Sequence, residues 1–177
     1  MLSRLTRLGY VLNNMKEKSD YSFASNVVKG RIAETLVEEM FKKSDYIVYR
    51  FGYEAILENL SQLRQLGREL KDSDTLDKIR SIPDFLVISP KGSVQLIEVK
   101  YSSSGTLQKS KLNKYAEFWG ESRVLLVSPR KPHFSINYIK DFISTERLFP
   151  LEKDWYTKID EKIIDKFSEV VKEYFKE

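Results

Sequence analysis

The apolar positions along this 177-residue chain switch period several times, and each switch marks an element. Leu2, Leu5, Leu8, Val11 and Leu12 recur at helical spacing, which predicts an amphipathic helix within residues 1–20. Ile32, Ala33, Leu36, Val37, Met40 and Phe41 give a broad apolar face to a second helix, from about Ser25 to Lys43. The aromatic and β-branched run Tyr46 to Phe51 then predicts a strand. From Tyr53 to Ser81 the helical pattern returns, with Leu57, Leu60, Leu63, Leu66 and Leu70 on one side and a polar break at Lys71-Asp72-Ser73-Asp74. This stretch, 53–81, is read as a helical insertion between strands.

Two strands are expected next, Phe85 to Ser89 and Val94 to Tyr101. A Ser- and Gly-containing loop, a helix near Leu107 to Trp119 and a strand at Arg123 to Val127 complete the run. Trp155, Ile159, Ile163, Phe167, Val170 and Tyr174 predict a last amphipathic helix packed on the core. The expected architecture is a single α/β domain over residues 1–177. Its core, residues 25–130, has the order αβββαβ, and residues 131–177 form a C-terminal extension.

The segment Ser89-Pro90-Lys91-Gly92-Ser93 has the chemistry of a three-residue hairpin loop. Proline suits the second position of a type I turn, and glycine suits the left-handed residue that follows. Pairing Ser89 with Ser93 fixes the register, so Asp84 falls opposite Glu98 and Lys100 shares the face of Glu98 two residues on. Leu86, Ile88, Val94 and Leu96 are apolar on that face, and Phe85, Val87, Ile97 and Val99 fill the other. The pattern predicts a hairpin buried on both sides. Directly opposed carboxylates destabilise a strand pair, and a divalent cation would compensate them.

Composition narrows that cation. The chain has no cysteine and one histidine, His133, which excludes disulfides, thiolate sites and multi-histidine zinc sites. Oxygen-only ligation by few carboxylates suits Mg2+ or Mn2+, which keep several waters and share positions with a substrate phosphate. No apolar run is long enough to span a bilayer, and Arg4 and Arg7 interrupt the first Leu pattern, so a soluble, cytoplasmic protein away from membranes is expected. The net charge of +4 fits a polyanion partner. The stretch Lys109 to Lys131, with Lys109, Lys111, Lys114, Arg123, Arg130 and Lys131, predicts a basic face.

Pro83-Asp84, then Glu98-Val99-Lys100 after a hairpin, preceded on a helix by Gly30-Arg31-Ile32-Ala33-Glu34, resembles the PD-(D/E)xK nuclease superfamily, and within it the archaeal Holliday junction resolvase-like branch. The resemblance spans residues 25–130. It implies a restriction endonuclease-like α/β core with a central mixed sheet flanked by helices, a metal-dependent endonuclease activity on DNA, and Asp84 and Glu98 as metal ligands aided by the main-chain carbonyl of Val99. It further implies Lys100 as the residue that positions or activates the attacking water. Glu34 matches the helix carboxylate that reaches the metal directly or through water. One departure is Lys111-Leu112-Asn113-Lys114-Tyr115, where some relatives carry Gln-x-x-x-Tyr.

Lys29, Arg31, Lys109, Lys111 and Lys114 are candidates for DNA backbone contacts, and Ser102 and Ser103 for a phosphate. Tyr115, Phe118 and Trp119 fit core packing better than base stacking. A resolvase would be a two-fold homodimer, with Leu2 to Leu12 and Leu57 to Leu70 as candidate dimer surfaces. The alternatives are a non-catalytic nucleic-acid-binding protein that keeps the fold, or a nuclease acting on linear duplex, single-stranded DNA or RNA.

Overall fold

In a computed structural model, residues 24–52, 71 and 73–175 are described. The expected N-terminal helix, most of the 53–81 insertion and both candidate dimer surfaces lie outside these residues. Residues 24–43 form helix α1, followed by strand β1, Ile47–Arg50. The end of the insertion appears as α2, Asp74–Arg80, where Ser73 from the polar break caps the helix by accepting from the Leu76 N–H. Then come β2, Phe85–Ile88, and β3, Val94–Tyr101. A 3-10 turn at Lys109–Leu112 leads into α3, Asn113–Trp119, and β4 is Arg123–Val127.

These elements follow the expected order αβββαβ, and β1 to β4 lie side by side. β1, β2 and β3 are antiparallel, whereas β4 runs parallel to β3. A parallel neighbour requires a crossover, which residues 102–122 and α3 supply. The hairpin register is the expected one, with Phe85 opposite Ile97 and Ile88 opposite Val94. Its turn is closed by the Gly92 N–H on the Ser89 carbonyl at 2.8 Å, with Gly92 at φ +83°. That left-handed angle is open to glycine at little cost.

The C-terminal part departs from the expectation. Residues 131–177 do not simply extend the domain: β5, Phe134–Tyr138, and β6, Phe149–Pro150, join the sheet beyond β4 and make it six-stranded. Helix α4, Ile139–Thr145, lies between them, and α5 is Glu161–Tyr174. Trp155 and Tyr174 are not buried apolar positions of that helix. Trp155 precedes it and is 76% exposed, and Tyr174 is 65% exposed, while Ile164, Val171 and Phe175 are buried. The start of α5 is set by Asp160, whose side chain accepts from the Lys162 N–H.

One face of the sheet carries the main core. Phe85, Val87, Ile97, Val99, Leu125, Val127, Phe134 and Ile136 pack against Ala33, Val37, Met40 and Phe41 of α1 and against Ile164 and Val171 of α5. Each fully buried side chain of this size contributes roughly 1.5–3 kcal/mol. The opposite face carries a smaller cluster of Leu112, Val124, Ile139 and Phe142. That cluster covers the β3–β4 half, so the hairpin is not buried on both sides: Val94, with Ile47 and Tyr49 on β1, is more than half exposed. Among the described residues no helix is long and apolar enough to cross a membrane.

Candidate metal centre

The loop from α2 enters β2 at Asp84, and three main-chain contacts set its position. The Phe51 and Gly52 N–H groups both donate to the Asp84 carbonyl, at 2.8 and 3.1 Å. The Val99 N–H donates to Asp84 Oδ2 at 2.8 Å, so β3 holds the side chain itself. Gly52 lies so close that a Cβ there would sit 3.3 Å from the Asp84 Cα and 3.5 Å from Oδ1. The end of β1 is therefore fitted to this one residue.

The hairpin register continues one step past Phe85 and Ile97 to bring Glu98 opposite Asp84. Glu98 projects on the same face as Val124, its partner on β4. It is 1% exposed, in ion-pair contact with Lys100 through Oε1, while Oε2 is buried without a hydrogen-bond partner. A buried carboxylate oxygen left bare is costly, and one that faces a second carboxylate more so.

The electrostatics carry the same message. Burial pushes the Asp84 carboxyl well above its ordinary range, and the facing Glu98 charge adds to the rise; Lys100 and the Val99 N–H only partly offset them. Burial also raises Glu98, offset in part by Lys100, the Tyr115 hydroxyl and the Asp84 main chain. Burial alone would lower the Lys100 ammonium, but Glu98, with Tyr115 and Asp84, outweighs it and raises the group. Burial, then the Glu98 charge, likewise raises the Tyr115 phenol.

Two opposed carboxylates with a bare buried oxygen between strands form an oxygen donor set that suits a hard divalent cation. Val99 contributes its N–H to holding Asp84. Glu34 stands apart from the pair. Its Oε2 is 3.1 Å from Arg31 and 3.6 Å from Arg50, and it acts on Asp84 as the smallest of the charges that raise it. Among the described residues no three carboxylate, histidine or cysteine side chains come together as a ready-made cage. The cation would thus rest on Asp84 and Glu98, with its remaining positions completed by water or substrate.

The residues expected to touch DNA differ in their surroundings. Lys29 lies over the Tyr101 ring at 5.8 Å, and Arg31 bonds Glu34. Ser102 is anchored by its N–H on the Val127 carbonyl at 3.0 Å, and its hydroxyl bonds that of Ser104. Ser103, beside it, is half-buried. Lys109 and Lys111 are exposed on the 3-10 turn, whereas Lys114 pairs with Asp77 at 2.7 Å. Arg123 does not belong to any basic face: it is 2% exposed and bonds Asp154. Basic count along a sequence overlooks a guanidinium that a folded loop takes inside.

Two residues around the site are not among the candidates the sequence offers. Arg50 pairs with both Glu34 and Glu38. Tyr115, assigned to core packing, is half-buried with its ring 5.0 Å from the Lys100 Nζ. Its spacing on α3 is that of an ordinary buried aromatic; the signal that could have found it is its match to the tyrosine of Gln-x-x-x-Tyr, and the fold shows the Lys100 ammonium beneath its ring. Comparison of the chain with protein-family models, with curated proteins and with solved structures finds no match.

Proposed function

We propose that this protein is a divalent-metal-dependent nuclease that hydrolyses DNA phosphodiester bonds, built on a restriction endonuclease-like core and acting at Asp84, Glu98 and Lys100. The observation that carries the reading is the buried pair of opposed carboxylates, with Glu98 Oε2 left bare and Lys100 held at the other oxygen. A binding module without chemistry gains nothing from that arrangement and bears its cost. The order αβββαβ, with β4 returning parallel to β3, agrees with the resemblance that Pro83-Asp84 and Glu98-Val99-Lys100 carry.

Asp84 and Glu98 would hold Mg2+ or Mn2+. A bound divalent cation supplies activation of the attacking water and neutralisation of charge on the phosphate. The chain's own part is placement. Val99 and the 51–52 amides fix Asp84, and Glu98 is locked between strands. Lys100 sets one positive charge next to the carboxylates, where it orients a water or a phosphate oxygen. Its ion pair with Glu98 favours the ammonium, and with it the orienting role over that of a base. Exposed Lys109 and Lys111 on the crossover offer contacts to the sugar-phosphate backbone without reading sequence.

A panel of labelled substrates, with four-way junction, linear duplex, single strand, flap and an RNA strand, tests the proposal in Mg2+, Mn2+ and EDTA. Cutting that needs metal is the expected result, and preference for the junction with a dimer in light scattering would give the resolvase activity. If nothing on the panel is cut while DNA is bound, the chain is a binding module.

A further inference from the structure

Lys100 carries its charge on four flexible carbons, and an unrestrained ammonium beside Glu98 would sample both carboxylate oxygens. The structure shows it on Oε1 alone, with Oε2 bare. Above the ammonium lies the Tyr115 ring, its centroid 5.0 Å from Nζ. An aromatic face attracts a cation electrostatically, most strongly where water is kept away. The ring is itself held by contacts that do not involve Lys100. Tyr115 packs against Leu112, Val124, Ile139 and Phe142. Helix α3 is fastened to α2 on either side of it: Lys114 Nζ meets Asp77 at 2.7 Å, and Trp119 Nε1 donates to the Lys78 carbonyl at 3.3 Å.

We propose that Tyr115 is a positioning residue, whose ring face holds the Lys100 ammonium on one oxygen of Glu98 and so keeps the other oxygen open for the cation. The inference rests on the nuclease reading for its consequence in catalysis, but its effect on cation binding is separate. The Tyr115 hydroxyl also bears on Glu98, but the hold on the Lys100 ammonium is assigned to the ring face, which phenylalanine keeps. An aliphatic side chain at 115 would keep the contact with the Leu112 cluster and release the ammonium.

Tyr115→Leu and Tyr115→Phe are compared with wild type in two measurements: Mn2+ binding by calorimetry, and cleavage of the best substrate of the panel. Tyr115→Leu is expected to weaken Mn2+ binding fivefold or more and to lower kcat at least tenfold, with KM for DNA changed less than threefold. Tyr115→Phe is expected to restore both to within threefold of wild type. A leucine variant with wild-type Mn2+ affinity and kcat overturns the proposal, as does a phenylalanine variant as impaired as the leucine one. If the leucine chain melts far below wild type, Tyr115→Met is measured in its place against the same thresholds. Should wild type bind Mn2+ but cut nothing, the nuclease reading falls while the calorimetry still decides the role of the ring.

Discussion

Lys100→Ala is expected to lower metal-dependent DNA cleavage by about 10^3-fold, within the range found when a positioned charge or proton-transfer group is removed. Among the described residues the ammonium is the one cation in ion-pair contact with Glu98, and it bears on both carboxylates. Nothing else among the described residues occupies its place. Affinity for DNA should change only a few-fold, because one charge among many backbone contacts is lost. Lys100→Arg should not restore the rate. A planar guanidinium is wider than an ammonium and cannot fit between Glu98 and the Tyr115 ring in the same way. Single-turnover cleavage and a filter-binding isotherm on the same preparations check both parts. An alanine variant that cuts within threefold of wild type would remove Lys100 from the site.

Asp154→Ala is expected to cost about 3–5 kcal/mol in stability, the usual penalty for orphaning one member of a buried ion pair. Arg123 and Asp154 have side chains 3% and 10% exposed, joined by two bonds of 2.6 and 2.5 Å. Arg123 also donates to Thr157 Oγ1, and the Thr157 N–H donates to Asp154 Oδ2. Removing the carboxylate strands a buried guanidinium beside the edge-to-face pair of Tyr138 and Tyr156, 5.0 and 5.8 Å from their ring centroids. Burial would raise the Asp154 carboxyl, but Arg123 and the Thr157 bonds outweigh it and hold the group below its ordinary value. A depressed acid stabilises the fold above its unfolded pKa and loses that contribution as pH falls through the folded one. The wild type should therefore lose stability below about pH 4, and Asp154→Ala should lack this share of the acid dependence. Urea denaturation at pH 7 and pH 3 measures both effects. Arg123→Leu with Asp154→Leu should be less destabilised than either single change.

The hairpin was legible because its turn is written in local chemistry. Pro90 and Gly92 fix the loop, and the loop fixes the register that sets Asp84 against Glu98. The apolar run Arg123 to Val127 was equally plain, since four of its five residues have no other place to go. Phe134–Tyr138 was not, because Ser135 and Asn137 interrupt its apolar pattern although both are buried. Asn137 is satisfied by the Arg147 carbonyl, a contact that only the fold supplies. Trp155 stands in a four-residue series with Ile159 and Ile163, so the apolar pattern extends the last helix to it. The clamp of Arg123 on Asp154 and Thr157 pins that loop and turns Trp155 outward. At the site, the pair of acids and the lysine were readable as a motif. Glu34 enters through the resemblance alone, and in the fold its Oε2 is engaged by Arg31 of the same helix and Arg50 of β1.

The central claim is that Asp84 and Glu98 are opposed in order to share a divalent cation, and thermal melting of wild type beside Asp84→Asn, in EDTA and in Mn2+, tests it most directly. Asparagine keeps an oxygen to accept from the Val99 N–H and removes one of the two facing charges. In EDTA the variant should melt above wild type, by about 1 kcal/mol in stability, since a like-charge pair is relieved. A hundredfold excess of Mn2+ over its Kd should stabilise wild type by about 2.7 kcal/mol, or roughly 5–10 °C, and leave Asp84→Asn almost unmoved. Equal Mn2+ responses in the two proteins, or none in either, would contradict the claim.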